Sequence, residues 1–137
     1  MEPVLQSLMS GLPVLVLHFL VTVAMLAAAV WIYVSLTPYR EFALTRDGNM
    51  AAAISLSGAM LGLALPLAVC MAVSVSVWDI VLWGCVTLLI QLVVFRITDL
   101  ILRGLPQRIE AGETAPALVL AAIKLSVAMI NAAAISG

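Results

Sequence analysis

Four stretches of the chain, roughly 13–36, 50–72, 78–101 and 115–136, are apolar runs interrupted only by isolated polar residues. Each is long enough to cross a bilayer core of about 30 Å. Inside lipid every backbone N–H and C=O must find its partner within its own segment, so all four are expected to be helices. The polar connections are short: "TPYREFALTRDGN", the residues around "SVSVWD", and "LRGLPQRIEAGET". Such connections make consecutive helices antiparallel neighbours. The expected fold is an all-α integral membrane domain over residues 1–137. The segment "AMLAAAVW" resembles a signal-peptide cleavage region, but the N-terminus carries Glu2 and no Lys or Arg, and the apolar stretch is too long, so it is read as a spanning helix.

Composition agrees. Charged residues make up 9% of the 137 positions and hydrophobic ones 65%, which is a membrane balance. The net charge is −1 and no basic run exists, so nucleic acid is excluded as a partner and the lipid bilayer is the expected surroundings. Cys70 and Cys85 form no CxxC motif and have no neighbouring histidine; both read as small packing residues.

Charge also orients the chain. Arg40, Arg46, Arg96, Arg103 and Arg108 lie in or beside the first and third connections, which places those connections in the cytoplasm and both termini on the periplasmic or extracellular side. Trp31, Tyr33 and Tyr39 flank the inner end of the first span, and Trp78 and Trp83 the outer end of the third, as interfacial belts. Sliding the sequence by 64 residues aligns "GNMAAAISLSGAMLGLALPLA" (48–68) with "GETAPALVLAAIKLSVAMINA" (112–132). This suggests two tandem, parallel helical hairpins, with Lys124 opposite Met60.

Polar residues inside the spans are the candidate site. Ala117, Ala121, Lys124, Ala128 and Asn131 share one helical face; Gly84, Thr87, Gln91 and Thr98 form a stripe on the third helix. The second helix offers Ala51, Ser55, Gly58, Gly62 and Pro66, the first His18 and Thr22. "GAMLG" allows close helix approach, and Pro66 is expected to kink its helix and free the Gly62 carbonyl. Counted along the helices, Lys124 lies near the midplane at the depth of Gln91, and His18 near that of Asn131, giving two polar layers. No Asp or Glu matches the depth of Lys124, and Asp99 is expected to pair locally with Arg96. Two readings of Lys124 stand open: a structural lysine at a helix interface, or one lining a path for ions or solutes.

Over "YVSLTPYREFALTRDGNMAAAISLSGAMLGLALPLA" and "LWGCVTLLIQLVVFRITDLI" the chain resembles the YjfL-like family of small bacterial inner-membrane proteins, a domain-of-unknown-function family. The shared positions are Thr37, Pro38, Ser57, Gly58, Leu61, Gly62, Pro66, Trp83, Gly84, Gln91, Leu92, Val94, Phe95, Asn131, Ala132 and Ala133. Lys124 lies outside that pattern. The resemblance implies a bacterial inner-membrane location and carries no established activity. Its gene neighbourhoods suggest links to envelope stress and polyamine-type chemistry, and with them a membrane or envelope-stress partner protein.

One histidine, no paired membrane carboxylates and no Ser or Cys constellation leave acid–base, nucleophilic and metal catalysis without their parts, so neither an enzyme nor a cofactor is expected. Two functions remain. The first is a membrane module that acts as a homo-oligomer or with a partner, its polar stripes holding helices together. The alternative is a small channel or transporter whose path is lined by Thr87, Gln91, Lys124 and Asn131.

Overall fold

The computed structural model describes residues 1–38 and 40–137; the expectation for Tyr39 lies outside the described residues. The helices are α1 (Glu2–Leu36), α2 (Glu41–Arg46), α3 (Met50–Val73), α4 (Val77–Ile101), α5 (Leu105–Glu110) and α6 (Thr114–Ser136). The four long ones are apolar enough to span a bilayer, and the fold is an all-α bundle of four membrane helices. Helix α1 begins well before residue 13. Pro3 falls in its first turn, where no intrahelical N–H bond is lost, and Pro13 does not end it. The two short helices sit together at one end of the bundle, called here the basic end after its arginines; both chain termini lie at the other, the terminal end.

The internal repeat is visible in the turns. Gly48 and Gly112 both have φ 91, and they end α2 and α5 in the same way. Asn49 N donates to Leu44 O and Gly48 N to Thr45 O; 64 residues on, Glu113 N donates to Arg108 O and Gly112 N to Ile109 O. This is a Schellman motif used twice, and glycine supplies the left-handed conformation it needs. Helices α3 and α6 start immediately after these turns, also 64 residues apart. Asn49 caps α3 by accepting from Ala52 N, and its amide donates to the carbonyls of Ile109 and Glu110, tying the two halves together. At the matching position Glu113 instead forms an exposed ion pair with Arg108. That hydrogen bond holds the Glu113 carboxyl below, and the Arg108 guanidinium above, its usual range.

Lipid tails are as apolar as leucine, so burial alone does not drive these helices together; close van der Waals fit and interhelical hydrogen bonds do. Helices α3 and α6 share the most extensive interface, running parallel. A Cβ added to Gly58 would lie 2.5 Å from Ala121 Cβ and 2.8 Å from its Cα, so the small residue sets the spacing. Leu56, Ala59, Leu63 and Leu67 of α3 pack with Ala29, Val30, Leu88 and Phe95 of α1 and α4. A second cluster at the basic end joins Ala51, Ala52, Ile109, Ala117 and Leu120. Helix α3 continues through Pro66. Cys70 is buried, whereas Cys85 is exposed on α4 and does not pack in the interior. Trp31, Trp78 and Trp83 are exposed, but Tyr33 is buried and turned inward, not part of an interfacial belt.

The two glycine contacts differ in what must yield. Gly58 faces backbone, while a Cβ at Gly84 would meet first the flexible end of Met25 and then Leu67 Cδ1. Gly58→Val is therefore expected to destabilise the bundle by about 1–3 kcal/mol, and Gly84→Ala distinctly less. Thermal unfolding of the purified variants in detergent checks the order; equal losses would contradict it.

A buried lysine network as candidate functional site

Lys124 stands on the face of α6 that carries Ala117, Ala121 and Ala128, all buried. Side chains on a helix lean toward its N-terminus, so the lysine stem runs toward the basic end. There Nζ donates to Tyr33 Oη at 2.8 Å and meets Asp99 Oδ1 at 3.3 Å. The ammonium also lies 4.8 Å from the Tyr33 ring centre and 5.2 Å from that of Phe95. Those two rings pack edge to face at 5.9 Å, so Lys124 is held at the hydroxyl edge of Tyr33 and beside the Phe95 ring as well as by a carboxylate. Tyr33 Oη in turn donates to Glu41 Oε1 at 3.2 Å, and Ser55 Oγ donates to the same oxygen at 3.1 Å. Glu41, Ser55 and Lys124 are essentially inaccessible to solvent. Five helices, α1, α2, α3, α4 and α6, each contribute one hydrogen-bonding or ionic member.

Toward the terminal end lies a second, uncharged group. Asn131 Nδ2 donates to Gln91 Oε1 at 3.0 Å and to the Thr87 carbonyl at 3.4 Å. Gln91 and Thr87 are buried, and Gln91 Nε2 has no hydrogen-bond partner among the described residues. The expected layers are therefore rearranged: Gln91 pairs with Asn131, and Lys124 with groups deeper toward the basic end. A lysine's charge sits a stem's length from its Cα, and that displacement separates it from Gln91. His18 is half-buried on α1 and only its carbonyl is engaged, by Thr22 Oγ1, so it does not join Asn131. Thr98 Oγ1 bonds back to Val94 O on its own helix. Arg96 is exposed and Asp99 turns from it to Lys124.

Cavities lie at both ends of this polar series. One of about 450 Å³ opens at the terminal end, lined by Ser74, Asp79, Trp83, Thr87 and Asn131 among others. Another, of about 300 Å³, lies at the basic end beside Asp99, Arg103, Gln107 and Glu110. Among the described residues no group of three His, Cys, Asp or Glu side chains is placed to hold a metal ion.

Of the residues singled out from sequence, Gln91 and Asn131 come into contact, while Lys124 finds Tyr33, Asp99 and, through Tyr33, Glu41. None of these three was expected as its partner: Tyr33 was placed in an interfacial belt and Asp99 with Arg96. The direction of a helical side chain was the signal for Asp99; Glu41, between Arg40 and Phe42 in a polar connection, gave none.

The family model described as Domain of Unknown Function (DUF350) matches residues 7–135, nearly the whole bundle. The chain belongs to this family. It is similar to the UPF0719 inner membrane protein YjfL of Escherichia coli (strain K12), 34% identical over 116 residues, covering 85% of this chain and 88% of the relative. The protein of the same name from Escherichia coli O157:H7 matches to the same extent. No solved structure matches. The match therefore carries membership of a multi-pass inner-membrane family and no assigned chemistry.

Removing one partner of a buried ion pair strands the other, at about 3–5 kcal/mol. Asp99 borders a cavity and can be rehydrated, whereas Lys124 cannot. Asp99→Leu is thus expected to lower thermal stability more than Lys124→Met, and the double variant to recover part of the Asp99→Leu loss. Strictly additive losses in detergent would show that the two side chains are not coupled.

Proposed function

We propose that this family member is a small transport element of the inner membrane that passes a small polar or charged species along the α4–α6 side of its bundle. One observation carries the reading: the polar residues form a series inside the bundle with a cavity at each end. From the terminal-end cavity the series runs through Thr87 and Asn131 to Gln91, then past Phe95 to Lys124 and Asp99, which borders the basic-end cavity. Ionisable groups within a span are costly, and their usual role is on a substrate or ion pathway. Phe95 and the Lys124–Asp99 pair fill the middle, so the arrangement corresponds to a closed path with two vestibules. The arginine distribution supports placing the basic end in the cytoplasm.

Self-association is a second reading, favoured by α1. This helix has 35 residues, and only 6% of its most apolar window is buried within the chain. Its exposed length is available to a second copy as well as to lipid, and a dimer would enlarge a narrow bundle. The mass of the protein in native membranes, read by cross-linking, separates the two.

Water access tests the path directly. In a background with Cys70 and Cys85 replaced by Ala, Asn131→Cys is expected to react with a membrane-impermeant thiol reagent from the terminal side only. Asp99→Cys should react from the basic side only, and Lys124→Cys from neither. Protection of both end positions, or reaction of either from the wrong side, would sink the two-vestibule path.

A further inference from the structure

Three observations bear on what Lys124 does within the path, taking the transport reading as given. The first is its level. A Cβ built on Gly62 would meet Phe95 Cζ at 2.7 Å and the Lys124 carbonyl oxygen at 3.4 Å, so the lysine backbone and the Phe95 ring stand side by side. On α4, Gln91 lies four residues to one side of Phe95 and Asp99 four to the other. Eight residues of helix rise about 12 Å, and the four-carbon stem of a lysine reaches about half that distance in either direction.

The second observation is Gln91 itself. Its Oε1 accepts from Asn131, but its fully buried Nε2 has no partner among the described residues. Buried amide donors in folded proteins are nearly always paired, so this one calls for an acceptor. An ammonium has none to offer; a neutral amine has a lone pair. The third is access: Asn131, which holds Gln91, lines the terminal-end cavity, and Asp99, which holds Lys124, lines the basic-end one.

We propose that Lys124 is a proton carrier that alternates between these two sets of partners, its side chain passing the Phe95 ring. In the arrangement seen, Lys124 Nζ is held by Asp99 and Tyr33. Transfer of one proton from the ammonium to the Asp99 carboxylate leaves a neutral amine and a carboxylic acid. Asp99 then releases that proton to water in the basic-end cavity and regains its charge. The neutral amine turns to Gln91, accepting from Nε2, and takes a proton from a hydronium ion admitted through the terminal-end cavity, leaving water behind. The renewed ammonium returns to Asp99, and one proton has crossed. Among the described residues, the ionisable and charged groups facing this cycle are Tyr33 from α1, Glu41 from α2 through Tyr33, and Asp99 from α4, with Arg96 of α4 lining a small cleft beside Tyr33 and Asp99. Helix α3 offers only the Ser55 hydroxyl, while Arg103 and Glu110 border Asp99 in its cavity.

The test uses the full chain in liposomes with a trapped pH-sensitive dye and an imposed potassium diffusion potential. The wild type is expected to pass protons well above protein-free vesicles. Lys124→Arg retains the charge but cannot give up its proton, so its proton flux is expected to fall to background with the wild-type gel-filtration profile. Gln91→Leu, which removes the second set of partners without touching the ion pair, should cut the flux about tenfold or more. Should Lys124→Arg fail to fold, Gln91→Leu decides alone. Proton flux undiminished in the deciding variant overturns the carrier. A wild-type flux of potassium or chloride without protons also overturns it but leaves the path standing; a wild type that passes nothing overturns both.

Discussion

The arrangement of this bundle depends on a single requirement: the ammonium of Lys124 must be satisfied inside a span. On the same face its helix supplies alanines and Asn131, which is taken up by Gln91, so the partners come from elsewhere: Asp99 from α4, Tyr33 from α1 and, behind it, Glu41 from α2 and Ser55 from α3. Meeting that requirement fixes the register of all four spans and draws a short interfacial helix inward. Glu41 and Tyr33 would otherwise be ordinary membrane-surface residues. Buried pairs of this kind add little net stability over a well-packed apolar core, because desolvation offsets most of the attraction. The presence of this one, beside the uncharged Gln91–Asn131 group, in a bundle otherwise packed through apolar and small side chains therefore calls for a functional reason.

The duplication sharpens this point. The glycine turns and the starts of α3 and α6 repeat at 64 residues, yet the network does not. Glu41 matches Leu105, Ser55 matches Val119, and Lys124 matches Met60, which is exposed. When the helix ends Leu36 and Ile101 are superposed, Asp99 matches Val34 and Tyr33 matches Thr98. Every charged member thus has an apolar counterpart, and the network takes Tyr33, Glu41 and Ser55 from the first half and Asp99 and Lys124 from the second. The scaffold is built twice and the ionic centre once, across the junction of the halves.

This difference explains what could be read from the chain. Span number, order and the repeat follow from hydropathy and spacing, which act locally along the sequence, and Gly48 and Gly112 mark the equivalent turns. The partners of Lys124 depended on where a flexible stem ends, and a depth estimated from Cα positions put it with Gln91 when its charge lies a stem's length away. Asp99 was assigned to Arg96 because the two are neighbours on one helix. The interior lysine outcompeted that pair, since an exposed arginine is satisfied by water and a buried ammonium is not. Glu41 left no trace because inward burial of an acidic residue is decided by the tertiary contacts of α2, not by its neighbours in sequence.

The same packing also dictates where a path can run. Along α3 and α6, Gly58 against Ala121 brings the backbones too close for any solvent-filled space between them. The polar series lies beside that seam, toward α4, and not within it. On that side α4 supplies Thr87, Gln91, Phe95 and Asp99 in succession, each within one or two turns of the next, facing Asn131 and Lys124. Close small-residue packing and a polar series are thus two consequences of one arrangement: the first concentrates the helices' mutual adhesion in a dry seam, and this leaves α4 free to present side chains that adhesion alone would not select.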